Sequence, residues 1–74
     1  MVKFVRIDIF QKVKDFVNLM QDIKEDTVLH SGKYSVDAKS IMGVLSLDLD
    51  KTLMLVIDSI EDETIKKEIS YFEV

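Results

Sequence analysis

The chain has 74 residues, 47% hydrophobic and 32% charged, enough for one small domain (1–74) with a modest core. A net charge of −4 argues against nucleic acid as a partner. The lack of cysteine excludes a disulfide framework and a Cys-based metal site. No apolar run is long enough for a signal peptide or a membrane span, so the expectation is a cytoplasmic protein without membrane association. With no proline and two glycines, no flexible linker or low-complexity segment is apparent.

Val2 to Ile7 is β-branched and aromatic, and reads as a strand. Alternation puts Val5 and Ile7 on one face, with Val2, Phe4 and Arg6 on the other. Asp8 and Gln11 have the spacing of a D-x-x-Q capping box. Val13, Phe16, Val17 and Met20 recur at helical spacing, predicting a helix over about Ile9 to Asp22. Lys24-Glu25-Asp26 breaks that pattern. Thr27 to Ser31 and Tyr34 to Asp37 then read as an antiparallel hairpin turning at Ser31-Gly32-Lys33. The pattern does not decide which of Val28 and Leu29 faces the core, because a one-residue slip inverts the face.

Ser40 is an N-cap candidate for a short helix ending near Asp48. Ile41, Val44 and Leu45 are its expected core residues. Thr52 to Ile57 is the clearest strand, with Leu53, Leu55 and Ile57 on one face and Met54 and Val56 on the other. Asp58-Ser59 ends it. Ser59, Asp62, Glu61 and Glu63 mark a helix start with acid in the first turn. Ile65, Ile69 and Phe72 give that last helix its buried face.

The order β-α-β-β-α-β-α predicts an α+β, two-layer open-faced sandwich. A four-stranded antiparallel sheet would be covered on one face by three helices. The uncovered face would show Phe4, Met54 and Val56. So apolar a face on so small a domain suggests self-association as a homodimer, or a covering partner.

Gly32-Lys33, and then Asp37-Ala38-Lys39-Ser40-Ile41-Met42-Gly43-Val44-Leu45-Ser46-Leu47, resemble the HPr family. These are the small phosphocarriers of the bacterial sugar phosphotransferase system. The run K-S-I-M-G-V-x-S-L is similar to the family's regulatory-serine segment. The resemblance implies the same sandwich, phosphotransferase-system proteins as partners, and Ser40 as the target of a kinase. It also implies a docking surface around Ser40, to which Met42 and Leu47 would contribute.

HPr proteins carry the phosphoryl group on a histidine in a G-[IL]-H-A-R-P segment before the first long helix. The matching stretch here, Ile7-Asp8-Ile9-Phe10-Gln11-Lys12, has no histidine and no Arg-Pro pair, and is shorter. The Asp8 carboxylate would repel an incoming phosphoryl donor. His30, near a hairpin turn, reads as an ordinary strand residue. No Ser-His-Asp set, metal-ligand spacing or phosphate-binding loop is present, so neither an enzyme nor a cofactor is expected. Ser40 has a plain structural role, a cap worth about 1 kcal/mol. It also has a functional one, because phosphate would add about −1.5 to −2 charge at a helix start.

The expectation is an HPr-like regulatory or interaction module without histidine phosphocarrier activity, with Ser40 as its phosphorylation site. A subgroup of HPr relatives lacks the histidine, keeps the serine and acts in catabolite repression; the chain is similar to these apart from its shortened loop. The alternative is a degenerate homologue that only binds a partner or dimerises. A working phosphocarrier ranks last.

Overall fold

The computed structural model describes residues 2–58 and 61–74. Seven elements follow in the expected order: β1 Val2–Ile7, α1 Val13–Gln21, β2 Thr27–Ser31, β3 Tyr34–Asp37, α2 Ile41–Leu45, β4 Leu53–Asp58 and α3 Glu63–Ser70. All strand pairings are antiparallel, in the order β1-β4-β2-β3. The two non-sequential neighbours, β1-β4 and β4-β2, come from helical connections that leave the sheet and return to it.

The period-two pattern sorts the two faces. Ile7, Leu29, Leu53, Leu55 and Ile57 point inward and are buried beneath Phe16, Met20, Val44, Ile69 and Phe72. The register pairs Leu29 with Leu55 and Ile7 with Leu53, so the inward residues form continuous rows. Leu29, with Thr27, faces the helices, and Val28 faces outward. Phe72 and Phe16 pack edge to face at a centroid distance of 5.5 Å, joining the residues after α3 to α1. No helix among the described residues is long and apolar enough to cross a membrane.

Three boundaries differ from expectation. First, α1 begins at Val13, not Ile9, and Asp8 does not cap it. The Asp8 carboxylate instead accepts the Phe10 N–H at 3.1 Å, and the Lys12 N–H donates to the Ile9 carbonyl at 2.8 Å, closing a tight turn. Gln11 occupies the left-handed region at φ 66° within that turn, so it cannot complete a capping box. Ile9 is fully buried. The inward alternation Val5, Ile7, Ile9 simply runs past the end of β1, and burying Ile9 this way defers the helix. Second, α2 ends at Leu45, and the Ser46 hydroxyl donates to the Gly43 carbonyl as the chain turns away. Third, β4 is displaced by one residue and includes Asp58. At α3 the cap is Asp62, whose carboxylate accepts the N–H groups of Thr64 and Ile65. The Ser59 part of that predicted helix start lies outside the described residues.

The C-terminal segment returns beside β1. The Asp8 N–H donates to Phe72 O at 2.9 Å and the Val74 N–H to Arg6 O at 3.1 Å, so the second half of this edge strand is paired.

Candidate functional site

Ser40 stands where β3 gives way to α2. Its extended backbone (φ −97°, ψ 112°) is that of a cap residue, and its Oγ accepts the Gly43 N–H at 3.1 Å. The Ser40 carbonyl accepts the Val44 N–H at 2.9 Å, which starts the helical ladder. Two contacts hold the entrance to this turn. The Asp37 carboxylate accepts the Lys39 N–H at 2.9 Å. The Gln21 side-chain amide, on the last residue of α1, donates to the Lys39 carbonyl. The end of α1 therefore positions the residue immediately before the cap.

Gly43 leaves the space that this geometry requires. A Cβ there would come within 3.3 Å of Val36 Cβ and 3.4 Å of Ser40 Oγ. Without it, α2 lies close on β3 and the serine hydroxyl reaches the backbone of its own helix.

Ser40 is exposed, and the first turn of α2 contains no acidic side chain. By contrast, α1 and α3 carry Asp15 and Glu63 in their first turns. An anion on Ser40 Oγ would meet unpaired backbone N–H groups and no carboxylate of the helix itself.

The apolar surroundings of Ser40 differ from the expected set. Leu47 is only 9% exposed and belongs to the core, so it cannot contribute to a docking surface. Leu45, expected in the core, is 52% exposed, and Ile41 is exposed as well. The cause is the short α2: once the helix stops at Leu45, the following turn carries Leu47 inward in place of a further helical residue. Met42 is 77% exposed, as expected of a surface residue. Ile41, Met42 and Leu45 thus form an open apolar rim on the helix that Ser40 caps. Helical spacing around Val44, which assigns Ile41 and Leu45 to the core, hides this arrangement. The Ser46 side chain, able to close a turn on Gly43, is the signal that reveals it.

The β1–α1 turn places Asp8 and Phe10 on the surface and brings no histidine to the start of α1. His30 lies on the outward face of β2, opposite Met54 on one side and Ser35 on the other. It is not grouped with Ser40 in any contact of the sheet or the α2 turn. Lys12, the residue before α1, lies over the Tyr71 ring at 4.6 Å from its centroid and braces the helix start against the end of α3.

This backbone matches that of a solved HPr structure. The crystal structure of HPr-C-His from Thermoanaerobacter tengcongensis superposes with a TM-score of 0.74 at 23% identity, covering 93% of this chain and 88% of that one. The chain has the HPr fold. No family model matches the sequence, and no curated protein matches it. The HPr-like architecture therefore rests on the order of elements, the sheet topology and this structural likeness together.

Proposed function

We propose that the chain is an HPr-like protein-docking module of the phosphotransferase system, addressed by a kinase at Ser40 and without a histidine phosphocarrier role. The supporting observation is the Ser40 turn: an exposed hydroxyl at a helix start free of acidic side chains, beside three exposed apolar residues. Ser40 Oγ accepts a hydrogen bond from Gly43, so its own proton remains available for removal by a kinase base. Transfer of the γ-phosphoryl group from ATP then forms the Oγ–P bond and releases ADP. The added charge would interact favourably with the helix start, by about 0.3–1 kcal/mol.

Ile41, Met42 and Leu45 supply the contact area for the kinase or another partner. An unbranched Met at the centre of such a surface adapts to differently shaped partners. The β1–α1 turn supports the second half of the proposal. The segment before α1, Asp8-Ile9-Phe10-Gln11-Lys12, has neither a carrier histidine nor an arginine to pair with a phosphoryl group. With Asp8 committed to the turn, that segment is a structural connection.

Incubation with ATP and an HPr kinase tests this reading. The expected result is a mass gain of one phosphate, lost in Ser40→Ala, and slowed in Met42→Asp while Ser40 is intact. A chain that gains no phosphate would leave the docking-only alternative standing.

A further inference from the structure

We propose that the uncovered face of the sheet binds a second copy of this chain, in a two-fold sheet-on-sheet dimer. An antiparallel sheet with one face to water ordinarily alternates apolar-in and polar-out. Here the outward positions are Val2, Phe4 and Arg6 on β1, Met54, Val56 and Asp58 on β4, and Val28 and His30 on β2. The register sets Phe4, Val56 and Val28 side by side in one row across three strands, with Met54 in the next row and Val2 at the margin. Phe4 is 69% exposed at the edge of this patch. β3 borders it with Ser35 and Asp37.

The charges on this face argue for a second copy over an unrelated partner. Along the strands the patch is bracketed by opposite signs: Asp58 opposite Val2 at one end, and Arg6 opposite Met54 at the other. A two-fold axis between the sheets, running along the Phe4–Val56–Val28 row, brings Arg6 of each copy over Val2 of the other, one strand from that copy's Asp58. The same operation stacks the Phe4–Val56–Val28 row on itself. A two-fold contact must be self-complementary in this way, and aligned sheets pack within about 30° of one another.

The available area sets the strength. Strands about 4.8 Å apart, with a rise of about 3.4 Å per residue, give this face on the order of 400 Å². A standard stable interface buries about 800 Å² per partner. The dimer is accordingly weak and dissociates on dilution. Ser40 and α2 lie on the opposite layer, so this proposal and the kinase-docking reading stand or fall separately.

Sedimentation equilibrium from micromolar to millimolar chain concentration tests the proposal. The weight-average mass of the wild type should rise toward that of a dimer. Phe4→Ser, Arg6→Glu and Asp58→Arg should each remain monomeric over the range, with folded circular-dichroism spectra. An equimolar mixture of Arg6→Glu with Asp58→Arg should associate again, since each cross-copy pair then regains opposite charges. If Phe4→Ser fails to fold, the two charge variants and their mixture decide the matter. A wild type that stays monomeric, a dimer unaffected by these changes, or a mixture that does not associate would overturn the proposal.

Discussion

Leu45 and Leu47 provide a direct test of how the α2 region is built. They are two positions apart, and the structure gives them opposite environments: 52% and 9% exposed. Truncating leucine to alanine removes three carbons, at about 0.8 kcal/mol for each buried methylene. For Leu47 nearly the whole amount is lost, about 2–2.5 kcal/mol, and any cavity left among its core neighbours adds to it. Leu45 retains half its exposure in the fold, so Leu45→Ala should cost about 1 kcal/mol or less and leave no cavity. In a domain of this size each kcal/mol moves the melting temperature by about 4–8 °C. Urea denaturation followed by circular dichroism should therefore place Leu47→Ala well below wild type, with Leu45→Ala close to it. Phosphorylation by an HPr kinase should show the reverse sensitivity, slowed by Leu45→Ala and unaffected by Leu47→Ala wherever the latter is folded. Equal costs, or a larger cost at Leu45, would refute this account of α2.

Gln11 holds a left-handed conformation that glycine adopts freely, so Gln11→Gly should stabilise the chain by about 0.5–1 kcal/mol in urea denaturation; destabilisation would mean that the side chain supports the turn. The Thr27 hydroxyl is buried without a hydrogen-bond partner among the described residues, and Thr27→Val should raise stability by about 1 kcal/mol, whereas a loss would reveal a partner for it. A hydrogen bond shared between two exposed carboxyls lowers Asp48 from its ordinary pKa and raises Asp50, with Lys51 also favouring the charged form of Asp48. In Asp48→Asn, carboxyl NMR titration should show Asp50 moving back down, and an unmoved Asp50 would rule out the pairing.

The fold was legible because its signals are local and periodic. Alternation in Val2–Ile7 and Leu53–Ile57 fixes both strands and their faces, and Gly32, at φ 59°, marks the hairpin turn. Of the α1 stripe Val13, Phe16, Val17 and Met20, the last three are buried and Val13 is partly buried, with Leu19 added to the core. The failures occur where two local rules compete. At Asp8–Lys12 a capping-box spacing competes with a side-chain-closed turn, and the burial of Ile9 settles the competition in favour of the turn. At Ile41–Leu47 helical spacing assigns Ile41 and Leu45 to the core and the family resemblance assigns Leu47 to the surface, whereas the structure exposes the first two and buries the third. The Ser40 cap was legible because it depends only on a serine three residues ahead of a backbone N–H. The brace from Gln21 to Lys39 spans 18 residues and leaves no trace in local pattern.

The central claim is that this chain keeps the serine turn of an HPr scaffold and has no histidine carrier site. Parallel incubations read by intact mass test it most directly, one with phosphoenolpyruvate and enzyme I, the other with ATP and an HPr kinase. The account predicts no acid-labile phosphate in the first and one acid-stable phosphate, mapped to Ser40, in the second. Acid-labile phosphate on His30 in the first, or an unmodified Ser40 in the second, would contradict it.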